Sequence, residues 1–228
     1  MMLLPGFGSS YVPPRSRLVL ALAFSMIVTP MITNIPPMPG GTLKLVGYVL
    51  AEMLIGVMIG IIAKILGSAI HVAGMIISMQ SSLAQASLFD PNQAAQSSLL
   101  GTYLDMMVMV LIFTTGIHHV MIVAMIDSYG AFPPVSPIPF GDFADLIMRT
   151  VSKSFLIGFQ LAMPMIIVGT LVNLSSGLLA RLMPAFQVYF VIMPAQILVA
   201  LFVFMTTFSA GLMWYMGVFG DSMNNLFK

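Results

Sequence analysis

The chain has 228 residues, of which 59% are hydrophobic and 7% charged, with a mean hydropathy of +1.05. Soluble domains carry about 25% charged residues, so this sequence cannot build a water-compatible surface; lipid or other apolar subunits must solvate it. A formal net charge of +1 excludes the basic footprint of a nucleic-acid binder. The absence of cysteine excludes disulfides, thiolate catalysis and thiolate metal sites together.

Arg15 and Arg17 followed by LVLALAFSMIV imitate a signal peptide, but the next stretch, TPMITNIPPMPGG, offers no A-x-A-like cleavage site. Leu18 to Ile32 therefore reads as a short membrane helix flanked by arginine. Pro36, Pro37 and Pro39 place a loop at Asn34 to Gly41. A long helix is expected from Leu43 to Gln85, then a polar segment, SLFDPNQAAQSS, at Ser87 to Ser98, then a membrane helix from Leu99 to Ile126. Asp127 to Asp145 reads as a loop, because its four prolines lack backbone donors and favour extended chain. It carries Asp127, Asp142 and Asp145 without a base, which favours the non-cytoplasmic side. Leu146 to Val172 follows as a helix kinked at Pro164. NLSSG at Asn173 to Gly177 reads as a polar break before a shorter segment to Pro184, and a last helix covers Pro194 to about Phe219. The fold class is an all-α membrane protein of long helices and helical hairpins.

The most informative pattern lies within the long helix. Gly56, Gly60, Lys64, Gly67, His71, Gly74, Ser78, Ser81 and Gln85 follow at steps of four or three, which a helix gathers on one face. Over about 45 Å, at 1.5 Å per residue, a narrow small-and-polar seam faces one way and apolar side chains face every other. Two causes produce such a seam. Small residues let backbones approach, as in Gly56-x-x-x-Gly60. A face turned to a polar lumen or a polar subunit interface also accounts for Lys64 and His71, since ionisable groups at membrane depth face cavities or bundle interiors. Packing suits the glycine end, and a polar lumen or interface suits Lys64 to Gln85. Directly afterwards, Leu88 and Phe89 form an apolar tip in a segment otherwise rich in Asp, Asn, Gln and Ser, while Pro91 turns Asp90 away from helical geometry. An ordinary surface turn and a segment buried beside water in an assembly both fit.

Other residues carry less chemistry. His118 and His119 are adjacent on a helix and point about 100° apart, so they cannot easily share a metal ion and read as packing or hydrogen-bonding groups. Asp105 and Arg181 lie in apolar surroundings and each is expected to pair with a partner group or to sit near a helix end. No phosphate loop, dinucleotide glycine motif, G-x-S-x-G or H-E-x-x-H is present, so neither an enzyme nor a cofactor is expected.

PGFGSSYVPPRSRLVLAL, SLFDPNQAAQSSLLGTYLDMMVMVLIFTTGIHHVMI and NLSSGLLARLMPAFQVYFVIMPAQI, in that order, resemble the FliR family of flagellar export-gate subunits of bacterial type III secretion. The resemblance implies a subunit that joins FliP and FliQ in a closed helical pore in the inner membrane, contacted by FlhB and served by FlhA. That pore passes unfolded flagellar proteins. It also implies a FliP-like part over residues 1–145 joined to a FliQ-like helical hairpin over 146–228. By position, Leu88, Phe89, Asp90, Pro91 and Asn92 fall on the loop, here 86–98, that plugs the closed pore in the family. Lys64, His71, Ser78, Ser81 and Gln85 are then placed to line the path or to contact neighbouring subunits. Relatives begin with a further apolar helix before the PGFGSSYVPPR block, where this sequence has only Met1 to Leu4, so either the chain start is misassigned or that first helix is missing. The counterpart in a virulence injectisome is an alternative with the same fold. A small-solute transporter is another, which requires broken helices at matching positions of two repeats.

Overall fold

A computed structural model describes residues 2–8, 13–31, 40–86, 99–132, 140–183 and 187–226. Among them every regular element is helical: α1 (Pro14–Val28), followed by a 3-10 turn, then α2 (Thr42–Gln80), α3 (Leu83–Ala86), α4 (Leu99–Thr114), α5 (Ile117–Ala131), α6 (Phe140–Leu182) and α7 (Val188–Asn224). α1 begins four residues before the expected Leu18 because Pro14 occupies its first turn, where the missing N–H costs nothing and the fixed φ already suits the helix.

α2, α6 and α7 are each long and apolar enough to cross a membrane, and the bent pair α4–α5 makes a possible fourth span. Only 17% of the most apolar stretch of α2 and 11% of that of α7 is buried within the chain. Side chains such as Leu198, Phe202 and Met205 of α7 are exposed. In water such a surface would cost about 25 cal/mol per Å², so it demands lipid or neighbouring subunits.

Several elements differ from the sequence expectation, the last helix among them, since it begins at Val188 rather than Pro194. The long helix does not reach Gln85 unbroken, because Ser82 adopts φ +60° after Gln80 and α3 restarts the helix. Ser81 Oγ donates to Ser78 O at 3.1 Å, an example of serine competing with helical bonding. The expected span Leu99–Ile126 divides at Thr115–Gly116 with a bend of 75° between its halves, since Gly116 takes φ +76°. Conversely, NLSSG does not break α6. Ser175 Oγ donates to Leu171 O and Ser176 Oγ to Asn173 O, both at 2.8 Å, so the hydroxyls are satisfied by the helix that carries them. α5 and α6 also extend into Asp127–Asp145 from both sides, leaving 133–139, with their four prolines, outside the described residues.

Two compact units divide the chain. One comprises 1–67, 109–153 and 218–228, the other 68–108 and 154–217. In the first, Ile62, Ala63 and Leu66 of α2, Met121 of α5, Phe143 of α6 and Phe219 of α7 are buried, and Phe132 stacks on Phe143 at 4.8 Å. In the second, Ala69, Ile70 and Ala73 of α2 are buried, as are Leu104 of α4, Ala162 of α6 and Tyr215 of α7. Among the described residues every buried side-chain nitrogen or oxygen has a hydrogen-bond partner, as an interior requires.

Gly116 offers a test of the bend. Gly116→Val forces a β-branched residue into the left-handed region and should destabilise the chain by about 1–2 kcal/mol, whereas Gly116→Asn should cost clearly less. Thermal unfolding in detergent orders the two; equal melting points would show that the bend does not depend on this φ.

Candidate functional site

In the second unit, α2 and α4 run as the two arms of a hairpin around the segment 87–98. A Cβ on Gly74 would lie 2.4 Å from Gly101 Cα and 2.8 Å from its nitrogen, so the two backbones touch. One turn back along α2 and one turn forward along α4, His71 Nδ1 donates to Asp105 Oδ2 at 2.7 Å. This antiparallel pairing closes the hairpin by backbone contact at one step and by a side-chain hydrogen bond at the next. Their side chains are 33% and 43% exposed, so the pair is worth what a solvent-touched ion pair is worth, a few tenths to about 1 kcal/mol.

The last turn of α2 is held by two further helices of the same unit. Gln196 Nε2 on α7 donates to the Gln80 carbonyl at 3.0 Å. Gly169 on α6 leaves room for Gln80, since a Cβ there would lie 2.6 Å from Gln80 Oε1 and 2.9 Å from its backbone oxygen. Lower on α6, a Cβ on Gly158 would fall 2.7 Å from Ala69 O. α2 is therefore gripped through α4, α6 and α7 immediately before the Ser81–Ser82 break. Ser78 and Ser81 are buried at 3% and 1% exposure in this packing.

In the first unit the seam has a different occupant. The N-terminal turns at residues 2–8 lie along α2, where a Cβ on Gly60 would meet Leu3 Cβ at 2.6 Å and one on Gly67 would meet Pro5 Cβ at 3.2 Å. Phe7 packs edge-on against Phe113 at 5.4 Å. Gly60 thus receives a chain segment rather than a second helix. Gly56 is exposed with open space above it, at the rim of a 110 Å³ cavity that also includes Glu52 and Tyr129. The Glu52 carboxylate accepts a hydrogen bond from the Tyr129 hydroxyl. Lys64 is exposed.

Of the residues singled out in the sequence, His71, Ser78 and Ser81 lie together at the hairpin in the second unit, and Gly56, Gly60 and Lys64 lie in the first. Leu88, Phe89, Asp90, Pro91 and Asn92 are outside the described residues, as is the side chain of Gln85. Asp105 does find a partner, in His71, and His118 Nδ1 lies 3.2 Å from Ile112 O with its ring on Phe113. Gly101, Gly169 and Gln196 escaped the sequence reading. Gly101 carried a signal, being a glycine two residues into an apolar helix directly after the polar segment. Gln196 carried little, as one amide in a run of apolar residues paired across 116 positions.

The family model for bacterial export proteins, family 1, matches residues 1–222. The flagellar biosynthetic protein FliR of Caulobacter vibrioides is 38% identical over 202 residues, covering 88% of this chain and 80% of that protein. FliR of Bacillus subtilis is 28% identical over 229 residues, covering 98% and 88%, and FliR of Escherichia coli is 28% identical over 200 residues, covering 86% and 75%.

The hairpin closure is measurable apart from any function. A double-mutant cycle on His71→Ala and Asp105→Ala, read by unfolding in detergent, should give a coupling of about 0.5 kcal/mol. Gly74→Leu should cost more than either substitution, about 1–3 kcal/mol, because a backbone cannot yield as a side chain can. A Gly74→Leu chain as stable as the parent would show that the two helices do not touch there.

Proposed function

The chain belongs to the bacterial export proteins, family 1, and from that premise we propose that it forms part of the protein-conducting pore of the flagellar export gate. Its FliR relatives make it a component of the flagellar export apparatus, and its long apolar helices make it a membrane protein. The finer reading is that it assembles with FliP, FliQ and FlhB and is served by FlhA. In that reading it lies in the inner membrane at the flagellar basal body and passes unfolded flagellar proteins. Residues 1–145 form its FliP-like part and 146–228 its FliQ-like hairpin. No residue acts as a catalyst; the energy for transport comes from partners.

The observation that supports this reading best is the hairpin base. Gly74 on Gly101, His71 on Asp105 and Gln196 on Gln80 fix the place from which the chain enters 87–98. A segment with an apolar tip, Leu88 and Phe89, launched from a rigid base can fill a narrow lumen in the resting state and withdraw for a substrate. Lys64 and His71 then face the path or a neighbouring subunit, while Ser78 and Ser81 shape the exit turn. Gly56, with open space where a Cβ would stand among the described residues, is the point where another subunit's backbone can approach. The small-solute alternative loses one of its two interruptions, since α6 continues through Asn173.

Two experiments separate these statements. Removing Leu88 to Asn92 should leave the assembly intact on purification while raising ion leakage through the inner membrane; unchanged tightness overturns the plug. Gly56→Leu should leave the unfolding free energy of the isolated chain within about 0.5 kcal/mol of the parent, as at surface positions generally, yet reduce co-purification of partner subunits. Gly60→Leu, by contrast, should destabilise the chain itself by about 1–3 kcal/mol through its clash with Leu3. Full assembly by Gly56→Leu would remove that glycine from the subunit contact.

A further inference from the structure

We propose that a cavity formed by the start of α6 and the end of α7 binds the phosphate of an anionic phospholipid headgroup. The cavity, of 160 Å³, lies within the first unit and is lined by Arg149, Lys153 and Thr150 of α6 and by Ser222 and Asn225 near the end of α7, with Leu66, Leu146 and Leu226 as apolar walls. Arg149 and Lys153 are one helical turn apart on α6, so their cations converge on one space. Among the described residues neither enters an ion pair, although Asp145 and Asp221 stand in adjoining turns. The hydroxyl protons of Thr150 and Ser222 are committed to Leu146 O and Val218 O. The donors left for a ligand are the guanidinium, the ammonium and the Asn225 amide. That set has no acceptor bias and suits a phosphate monoanion or diester.

Position along the helices selects a lipid as the source of that phosphate. From Ser154 to Ala180 the chain contains no Asp, Glu, Lys or Arg, and the same holds from Val188 to Gly220. At 1.5 Å per residue the first run spans about 40 Å, enough to cross a hydrocarbon core of about 30 Å. Lys153 is the last charge before one run, and Asp221 is the first after the other. The cavity therefore sits where both helices leave the hydrocarbon, at headgroup depth. Met148 and Val151, on the adjacent face of α6 in the same unit, are 71% and 46% exposed and offer an apolar track for acyl chains below the headgroup. A soluble phosphate would use the cations and leave this track bare; an acidic peptide would not need a site at the membrane boundary.

The test uses the full chain, delipidated in neutral detergent and titrated with phosphatidylglycerol or phosphatidylcholine, with bound lipid counted by native mass spectrometry. Phosphatidylglycerol should bind at least about tenfold more tightly than phosphatidylcholine. Arg149→Gln with Lys153→Gln should weaken phosphatidylglycerol by about 25-fold, roughly fivefold per cation, and leave phosphatidylcholine unchanged. Arg149→Lys with Lys153→Arg should retain the preference. If the double glutamine chain does not fold, either single glutamine variant carries the same test with about a fivefold loss. Equal affinity for the two lipids, or an unaffected glutamine variant, overturns the site. Displacement by millimolar inorganic phosphate assigns it to a soluble anion, and displacement by polyglutamate as effective as phosphatidylglycerol assigns it to an acidic protein; either result overturns the lipid.

Discussion

Where Gly74 meets Gly101, two helix backbones approach more closely than any side chain permits. A single methyl group on Gly74 would have to occupy the main chain of Gly101. In a membrane, helix association draws little from the hydrophobic effect, because lipid tails solvate apolar side chains as well as a partner helix does. Close backbone contact, with its dense dispersion attraction, is what remains. This contact aligns α2 with α4, and the alignment brings His71 to Asp105 across 34 positions of sequence. The His71–Asp105 hydrogen bond adds modest energy but defines the register, so that the chain leaves α2 at one place and re-enters at α4 from another fixed place.

The grip on Gln80 extends the same logic. Gly169 admits the end of α2 against α6, and Gln196 donates to the Gln80 carbonyl in the last turn of α2, where a helix runs out of its own donors. A turn at the end of an apolar helix would otherwise strand polar backbone in a dry interior. The polar and small residues of the seam therefore solve a packing problem within the chain before they serve any path for a substrate. At Gly60 and Gly67 the residues Leu3 and Pro5 occupy the seam; at Gly74 a helix does; at Gly56 none of the described residues does.

How much of this could be read from the sequence depends on the range of the interaction that decides each feature. The apolar runs gave the helices and the membrane, because composition and length alone decide those. The seam was visible because three- and four-residue steps are local. What serine and glycine do within a helix was not. The same Ser-Ser pair breaks the chain at Ser81–Ser82 and is absorbed at Ser175–Ser176, where both hydroxyls bond back to helix carbonyls. Gly116 bends its helix, whereas Gly158 and Gly169 sit in a continuous one and provide room for α2. Nothing in the neighbouring residues separates these cases; the tertiary partner does. The proline-rich stretch misled in the other direction, since its prolines are confined to 133–139 and both flanks are helical. His71 and Asp105 were each noticed, but their pairing depends on the α2–α4 register, which only Gly101 hinted at.

In the proposed function the fixed hairpin base delivers the segment 87–98 to a channel shared among subunits. A lone cysteine at Phe89 tests it most directly, since the natural chain has no other thiol. In the intact, purified assembly this cysteine should crosslink under oxidation to cysteines placed on the inner faces of neighbouring subunits, and should resist membrane-impermeant thiol reagents until the pore is opened. Ready labelling in the closed assembly, with no crosslink to any neighbour, would place the segment on an outer surface and contradict the claim.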